Sequence, residues 1–410
     1  MDFEIRPVRD TELDRYVSVL ELAAGRHVTS EAIAEARETY ELERTLAAFE
    51  RGVLLGGLSS DALELTVPGD EILPAARITL TGVLPTHRRR GISTELNRCQ
   101  LRWLRERGEP VAVFMTSGPR FYRRVGYGPA TVAVEAEIAT GRNPLETSSA
   151  DSGVIRVVDE PERHRVLPEA FDRHRRHQPG QINRPPSFWK AWFGDHDRYR
   201  KGEPGDRFAA VFDDAAGVPQ GYVTYRLRPG NPRDDPVDSL VVEDLIDVTG
   251  VARRGLWSYC LGFEQVARVV AHNLPADEPL AWMLTDSRRL RVTRVRDFLW
   301  LRLVDVERAL TARSYASEGS LVIEVADSTL PENARRFRLE SDGAASTCSP
   351  TAIEPELWLD VADLAAVYLG GVTFRTLSRA GRIQAASTAA IHRGDAMFAW
   401  QPAPWTVSDW

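Results

Sequence analysis

The sequence predicts a protein of mixed α/β class, because strand-like and helix-like patterns alternate along it. Residues 77–84 alternate with the period of two that is typical of a β-strand. Pro85 ends this strand, and a basic loop leads to Gly91. A helix then follows, since apolar residues recur on one face at steps of four, three and four: Ile92, Leu96, Cys99 and Trp103. An apolar run at 111–115 and a short helical segment at 120–125 complete the pattern.

The loop before this helix carries three consecutive arginines, Arg88 to Arg90, and then Gly91. Unpaired backbone N–H groups at a helix start, with arginines beside them, form a site suited to a pyrophosphate. A glycine lets the backbone approach the phosphates closely. The alternative interpretation is a solvated surface turn, for which three arginines in a row are equally suitable.

The other N-terminal segments fit the same α/β unit. A polar linker at 147–153 is typical of a domain boundary. The periodicities predict a strand at 1–8, a helix at 11–24, continued helix at 31–50, and strands at 52–58 and 63–67.

A second unit begins with a strand at 154–158 and contains an internal echo of the first. Residues 245–263 repeat the order of strand, Thr-Gly-Val, basic residues, glycine and helix found at 80–97. Between the two glycines there are eight residues in the first copy and four in the second. A loop this short should not surround a pyrophosphate, so the second copy is predicted to be a structural duplicate without cofactor. The alternative is a chance similarity, since the order strand, glycine, helix is common.

The pattern changes again after residue 302, with strands predicted at 321–325 and 337–339 and a helix at 361–369. Residues 162–177 hold His164, His174 and His177 among mixed charges, which predicts a solvated helix.

Length and composition limit the possible classes of protein. The 410 residues, 43% of them hydrophobic and 27% charged, predict two or three soluble globular domains. A net charge of −7 disfavours nucleic acid as a partner and suits a cationic small molecule. Three separated cysteines predict neither a disulfide framework nor a metal site. We find no apolar run of membrane-spanning length and no apolar leader, so the expected location is cytoplasmic.

The stretch around the basic loop resembles the GNAT family of acyl-CoA N-acyltransferases. The signature of that family is Gln/Arg-x-x-Gly-x-Gly/Ala after a central strand, followed by a second strand and a tyrosine before Gly-Tyr or Gly-Phe. Here it stands as Arg88-Arg89-Arg90-Gly91-Ile92-Ser93, with Tyr122 before Gly126-Tyr127. Ser93 replaces the usual small residue and is itself small enough for the loop to form.

Three longer strings resemble more narrowly the enhanced intracellular survival (Eis) acetyltransferases, which have about this length: LTVPG (65–69), GVLPTHRRRGI (82–92) and FYRRVGYGPAT (121–131). The resemblance implies tandem GNAT folds, the second degenerate, and a sterol carrier protein-like C-terminal domain, whose trace is VYLGG at 367–371. We expect domains at 1–145, 154–298 and 299–410. The C-terminal domain would either bind lipid or bury surface in assembly and deliver the C-terminus, and we favour the second.

The same resemblance implies acetyl-CoA as the co-substrate and assigns residues to it. The strand edge at Thr81, Gly82 and Val83 would hold the acyl and pantetheine part, and Ser117-Gly118 would form an adjoining turn. Tyr122 would be the general acid, since a phenol of pKa about 10 can protonate a thiolate whose conjugate acid has a pKa of about 8.5. Spacing alone would favour a tyrosine that packs on the strand pair, and the resemblance of FYRRVGYG to the family reverses that order. The pyrophosphate would lie on the backbone amides of Arg89, Arg90, Gly91, Ile92, Ser93 and Thr94.

Eis enzymes acetylate aminoglycosides and lysine side chains, which implies a cationic amine as the acceptor here. The tryptophan that the family places in its early helical region has no counterpart, because the first tryptophan is Trp103. Tyr40 could take its place. The family also places its terminal carboxylate in the acceptor pocket, so Trp410 would supply the general base and Asp409 further negative charge. Otherwise the terminus would be frayed and without function.

The resemblance further implies a homo-oligomer, expected to be a hexamer. A hypothesis from another class is a non-catalytic binding protein, in which the loop is vestigial and the C-terminal domain carries a lipid.

Overall fold

The protein is described by a computed structural model that covers residues 3–115, 118–141, 144–146, 153–194, 205–230 and 237–408. The chain forms two compact units. Unit 1 combines the residues up to Ala130 with Leu299–Trp400, and unit 2 combines Thr131–Phe298 with the segment from Gln401 onward. Compact units and domains of known families are different divisions of a chain, so the boundaries 1–145, 154–298 and 299–410 stay a prediction.

Unit 1 contains a mixed sheet and, in its C-terminal part, a smaller one. The first sheet runs in spatial order through β1 (Glu4–Arg6), β2 (Thr45–Glu50), β3 (Val53–Val67), β4 (Glu71–Val83), β5 (Val111–Phe114), β14 (Trp300–Leu303) and β6 (Gly128–Pro129). The smaller sheet runs through β17 (Ser346–Pro350), β16 (Arg336–Ser341), β15 (Gly319–Ala326), β18 (Leu357–Asp360) and β19 (Gln384–Ala385). The helices of unit 1 are α1 (Leu13–Ala23), α2 (Ser30–Thr39), α3 (Ile92–Glu106), α4 (Pro119–Arg124), α9 (Val306–Ala312), α10 (Val361–Val367), α11 (Phe374–Arg379) and α12 (Thr388–Phe398).

Unit 2 is built around one sheet with helices packed on it. The sheet runs in spatial order through β13 (Leu290–Asp297), β7 (Val132–Ala139), β12 (Arg268–Leu274), β11 (Ser239–Asp247), β10 (Pro219–Arg228), β9 (Phe208–Asp214) and β8 (Gly153–Val157). Its helices are α5 (Glu160–Arg175), α6 (Pro186–Phe193), α7 (Gly250–Leu261) and α8 (Leu280–Met283). The mixed α/β class predicted from the sequence is confirmed.

Two strands lie in sheets that their positions in the chain do not suggest. β7 follows the first sheet in sequence but pairs with β12 and β13 in unit 2. β14 comes after all of unit 2's strands and pairs antiparallel with β5, Trp300 opposite Phe114 and Leu303 opposite Val111. The first sheet therefore includes a strand that is separated from its other strands in the sequence by residues Thr131–Phe298 of unit 2.

Two sequence-based expectations were wrong. Residues 31–50 are not helical throughout, because α2 ends at Thr39 and β2 begins at Thr45. β2 lies between β1 and β3 and is almost entirely buried, so its place in the sheet outweighs the helix propensity of its alanines and leucine. The strands expected at 52–58 and 63–67 are one continuous strand, β3.

The helix expected to be solvated, α5, is also corrected. Charged residues are frequent in this helix, but two adjacent rows of its residues at steps of four, 166-170-174 and 167-171-175, are buried and face the core of unit 2. His174 is buried with them, and its Nδ1 lies 2.7 Å from the carbonyl oxygen of Asp247. Burial lowers the pKa of His174, so the imidazole is neutral.

A buried ion pair joins β14 to the C-terminal part of unit 1. Arg302 Nη2 donates to Asp327 Oδ2 at 2.6 Å, and both side chains are 1% exposed or less. Asp327 Oδ1 also accepts from the backbone N–H groups of Thr329 and Leu330, at 2.9 and 3.0 Å. The carboxylate is thus both paired and hydrogen-bonded, as a buried charge requires.

We predict that Asp327→Ala lowers the free energy of unfolding by about 3–5 kcal/mol, because it leaves Arg302 as an unpaired buried charge. Urea unfolding followed by tryptophan fluorescence measures the change. Glu340→Ala breaks the exposed pair with Arg338 and should leave the unfolding midpoint nearly unchanged. Equal effects of the two substitutions would contradict the prediction.

Candidate active site

The site begins where β4 and β5 separate. The two parallel strands pair only from Ala75 to Arg77 on β4 and from Val111 to Val113 on β5. β4 continues to Val83, and its other edge stays paired with β3, with Thr81 opposite Leu58. The predicted acyl-binding residues Thr81, Gly82 and Val83 therefore lie on β4 beyond the point where β5 leaves it.

The basic loop leads from this edge into α3. A 3-10 turn at Pro85–His87 follows β4, and Arg89 and Gly91 have positive φ angles of 63° and 81°. Gly91 occupies the N-cap position of α3, and its carbonyl oxygen accepts from Glu95 N at 3.1 Å. Among the described residues no side chain caps α3. The N–H groups of Ile92, Ser93 and Thr94 are consequently left for a ligand or water.

The loop fits a pyrophosphate. A β-carbon built on Gly91 would meet no described atom within 4 Å, so space adjoins the glycine on the side where a side chain would project. Positive charge accompanies this space, since Arg89 and Arg90 are exposed at the loop surface. An uncapped helix start, adjacent space and basic side chains are the features with which proteins hold phosphate groups.

The three arginines differ in their partners. Arg88 is structural, because Nη2 donates to the carbonyl oxygen of Ala23 at 2.8 Å and Nε to that of Val83 at 3.3 Å. Arg90 forms an ion pair with Glu50, and this partner holds the pKa of the Glu50 carboxyl below its usual value. A phosphate at the loop would therefore share Arg90 with Glu50.

Tyr122 lies on α4, next to the separating strands. Its ring packs against Phe114, Phe121 and Tyr127, with centroid distances of 4.3, 5.1 and 5.6 Å, and the residue is 7% exposed. The Thr81 side chain lies close enough to interact with its hydroxyl, and the Thr81 hydroxyl donates to the carbonyl oxygen of Thr79 at 3.3 Å. Burial raises the pKa of Tyr122 above the usual value for a phenol, and the interaction with Thr81 opposes this only in part. The predicted acid and the predicted acyl-binding edge are thus in contact.

The turn after α4 supports Tyr122, because Tyr127 in this turn packs against its ring. Gly126 has a φ of 90°, and a β-carbon there would lie 2.7 Å from Arg302 Cζ and 2.8 Å from Val361 Cγ1. Tyr127 follows it and is fully buried, which raises the pKa of its hydroxyl strongly. The chain therefore needs glycine at position 126, both for its conformation and for its close approach to the C-terminal part of unit 1.

The remaining predicted site residues lie elsewhere or outside the described residues. Gly118 occupies the N-cap position of α4. Tyr40 ends α2, with its ring 6.4 Å from that of Tyr16, and packs on the core between α1 and the sheet rather than on the cluster around Tyr122. Ser117, Asp409 and Trp410 lie outside the described residues.

The second copy of the motif differs at the helix start. β11 and β12 pair in parallel from Ser239 to Val242, and α7 begins at Gly250. Here Thr249 is the N-cap, and its hydroxyl accepts from Ala252 N at 3.2 Å. A capped helix start and a short loop remove the two features that make the first copy suited to a phosphate.

A segment of the same chain lies in unit 2 where β11 and β12 have separated. Asn273 on β12 donates to the carbonyl oxygen of Thr406 and accepts from Trp405 Nε1, both at 2.9 Å. Ser408 Oγ accepts from Arg184 Nε at 3.1 Å, and Arg184 also pairs with Asp244 on β11 at 2.5 Å. We call residues 405–408 the C-terminal strap. No local sequence pattern predicts these contacts, because they join residues more than 130 positions apart.

Two negative observations apply only to the described part of the chain. None of its helices is long and apolar enough to cross a membrane. Within the same residues, no group of three or more His, Cys, Asp or Glu side chains is arranged to hold a metal ion.

Comparisons with known families divide the chain into three matches. Residues 4–130 match an acetyltransferase (GNAT) domain family, and residues 180–303 match a second one. Residues 306–407 match a sterol carrier protein domain family. The tandem GNAT folds and the sterol carrier protein-like domain implied by the resemblance are confirmed, and the GNAT fold implies acetyl-CoA as the co-substrate.

Similar proteins cover nearly the whole chain. An uncharacterized N-acetyltransferase of Streptomyces avermitilis is 32% identical over 413 residues, covering 99% of each chain. The N-acetyltransferase Eis of Mycobacterium bovis is 34% identical over 349 residues, covering 82% of this chain and 81% of its own. The crystal structure of Eis1 from Mycobacterium abscessus superimposes with a TM-score of 0.87 at 35% identity, covering 99% of this chain and 100% of that one. A GCN5-related N-acetyltransferase of Anabaena variabilis shares the fold, with a TM-score of 0.85 at 22% identity. The chain is therefore an acetyltransferase that belongs to the Eis family of GNAT N-acetyltransferases.

Proposed function

We propose that the protein transfers the acetyl group of acetyl-CoA to an amino group of a cationic small molecule, such as an aminoglycoside, or to a lysine side chain. The observation that supports this most is the contact between the Tyr122 hydroxyl and Thr81, at the β4 edge beside an uncapped helix start. A tyrosine, a strand edge and an uncapped helix start lie in the order in which a thioester of CoA would need an acid, an acyl-binding edge and a phosphate site, and this order supports the proposal.

In this proposal the β4 edge and the basic loop bind acetyl-CoA. Backbone groups at Thr81, Gly82 and Val83 form strand-like hydrogen bonds with the acyl and pantetheine part. The amides from Arg89 to Thr94 hold the pyrophosphate, and the Ser117-Gly118 turn adjoins it. The co-substrate supplies the activated acetyl group, and no metal is required.

Tyr122 acts as the general acid. Acetyl transfer forms a bond between the amine nitrogen and the acetyl carbon and breaks the carbon–sulfur bond, so the thiolate that leaves must gain a proton. Burial keeps Tyr122 protonated at neutral pH, so its hydroxyl holds a proton for the sulfur when the carbon–sulfur bond breaks. The phenolate that this leaves regains a proton from solvent.

The amine must lose a proton before it attacks, and we assign this step to the carboxylate of Trp410. An α-carboxyl group has an unperturbed pKa of about 3.5 and is ionised at neutral pH. Asp409 adds negative charge for a cationic acceptor, and Tyr40 contributes to the acceptor side. The family resemblance supports the assignments of Trp410 and Asp409, whereas Tyr40 is proposed to take the place of the family's tryptophan.

We further propose that the protein is a homo-oligomer, expected to be a hexamer, in the cytoplasm. Unit 2 supports association, because Trp282 is 89% exposed and Val292 and Val295 on the edge strand β13 are 51% and 60% exposed. The cysteines, all free, are compatible with a reducing compartment.

Tyr122→Phe should lower kcat by about 10²- to 10⁴-fold with little change in the KM for acetyl-CoA, because it removes the proton donor and keeps the ring. Thiol release from acetyl-CoA, with kanamycin or a polyamine as acceptor, measures it. In the unchanged enzyme, loss of activity from deprotonation of Tyr122 should occur at a higher pH than for an unperturbed phenol, since burial raises its pKa. Tyr315→Phe is the control, as its buried hydroxyl bonds only Leu310 in the C-terminal part. Full activity of Tyr122→Phe would exclude Tyr122 as the general acid. A copurified lipid in place of bound CoA in native mass spectrometry would argue for the binding-protein hypothesis.

Gly91→Ala should raise the KM for acetyl-CoA about tenfold and leave the KM for the amine nearly unchanged, because the new methyl group enters the space proposed for the pyrophosphate. Gly343→Ala is a matched control. Gly343 also has a positive φ, 88°, and open space around its β-carbon position, but lies in the turn between β16 and β17. Both variants carry the same backbone strain, so equal effects on the KM for acetyl-CoA would assign the result to strain alone.

Appending three glycines after Trp410 should abolish turnover while acetyl-CoA binding persists, because the carboxylate moves and every side chain stays. Isothermal titration with CoA and steady-state kinetics test the two parts. The same glycines placed before Met1 serve as the control. Full activity of the extended protein would exclude the Trp410 carboxylate as the base.

A further inference from the structure

The helix that carries Tyr122 is too short to be stable without contacts from the rest of unit 1. α4 has only six residues, from Pro119 to Arg124, and a helix of this length is not stable by itself in water. Its orientation must therefore come from contacts with the rest of unit 1. The packed rings of Phe114, Phe121 and Tyr127 fix the plane of the phenol but leave the polar side of the helix to other contacts.

One such contact comes from the next residue along the chain. Arg123 Nη2 donates to Asp363 Oδ1 at 2.5 Å, and this bond joins residues that are 240 positions apart. The Asp363 side chain is 1% exposed, whereas that of Arg123 is 31% exposed. A buried carboxylate thus reaches an arginine at the surface end of α4, and the pair is partly shielded from solvent.

Asp363 is itself held firmly. It lies in the first turn of α10, where the helix dipole favours a negative charge, and Asp360 caps the same helix by accepting from Ala362 N at 2.8 Å. Arg382 approaches the second carboxylate oxygen, with its Nη2 3.3 Å from Oδ2. Burial raises the pKa of the Asp363 carboxyl, and Arg123 opposes this rise.

The backbone around Tyr122 is fastened to the same helix. Gly126 packs on Val361, and Gly128 leaves no room for a side chain because the carbonyl oxygen of Ala362 occupies that place. Tyr127, between the two glycines, supports the Tyr122 ring from below. The first turn of α10 therefore contacts α4, through Arg123, and β6, through Gly128.

We infer that Asp363, in the sterol carrier protein-like domain, is a positioning residue for the general acid. Through Arg123 it sets the orientation of α4 that keeps the Tyr122 hydroxyl against Thr81. This inference rests on the proposed role of Tyr122. It gives the C-terminal domain a direct part in acetyl transfer, beyond assembly or lipid binding.

The choice of variants follows from the two partners of Asp363. Arg123→Gln removes the contact with α4 and leaves Asp363 paired with Arg382, so the fold should be retained. Arg382→Gln is the matched control, since it removes a contact of the same carboxylate but none with α4. Asp363→Asn keeps the shape of the side chain and removes its charge. Arg123→Lys restores a positive donor on α4.

We expect Arg123→Gln and Asp363→Asn each to lower kcat by about tenfold to a hundredfold, because a displaced proton donor loses its geometry. The KM for acetyl-CoA should change less than about twofold, since the β4 edge and the basic loop are untouched. The double variant should be no slower than either single one, because both break the same contact. Arg382→Gln should keep nearly full kcat, and Arg123→Lys should recover part of the loss. Thermal unfolding of each variant shows whether it is folded.

The effect must act through Tyr122, and combination with Tyr122→Phe tests this. Adding Arg123→Gln to Tyr122→Phe should cause no further loss of kcat, because no phenol remains to be positioned. A further loss of the full size would overturn the inference, as would an unchanged kcat in Arg123→Gln or an equal loss in Arg382→Gln. If Tyr122→Phe alone is fully active, the proposed role of Tyr122 as the general acid is wrong, and the positioning role of Asp363 is wrong with it. If it is inactive while Arg123→Gln is not, only the positioning role fails.

Discussion

The separation of two parallel strands is the constraint on which this structure depends. β4 and β5 pair over three positions and then separate, so among the described residues the backbone groups of β4 from Ile78 to Val83 have a neighbouring strand on one side only. Backbone N–H and C=O groups need partners, and an open edge beside an uncapped helix start concentrates many of them in one place. Such an edge suits an extended ligand with a phosphate at one end, which is the form of acetyl-CoA.

In unit 2 two parallel strands separate in the same way, and the C-terminal strap lies beside them. β11 and β12 also separate, but the C-terminal strap bonds to Asn273 on one strand and, through Arg184, to Asp244 on the other. Trp405 and Val407 join the apolar core that includes Ile246. Thr249 caps α7, so the second copy lacks the uncapped helix start of the first. These contacts give a physical reason to expect no cofactor in the second GNAT fold, where the sequence showed only a shorter loop.

Sequence reasoning succeeded where the signal was local. The strand before Pro85, the helix from Ile92 and the short helix that carries Tyr122 follow from periodicity, breakers and a family motif within about fifty residues. It failed where tertiary position outweighs propensity, as in β2, or where charges conceal an apolar face, as in α5. The pairing of β14 with β5 and of Arg123 with Asp363 could not be predicted, because no local pattern specifies contacts between residues about 190 to 240 positions apart.

The C-terminal part of unit 1 is built into the catalytic fold. β14, which precedes it, is the antiparallel neighbour of β5, and the buried pair of Arg302 and Asp327 fixes that strand to the domain that follows. α10 in turn packs on β6 and on the turn after α4. A domain that bound lipid independently would need few such contacts, whereas one that shapes the acid's surroundings needs several, because a short helix and a two-residue strand have little stability of their own. If Tyr122 is the general acid, as proposed above, the sterol carrier protein-like domain contributes to acetyl transfer by supporting the short helix that carries it.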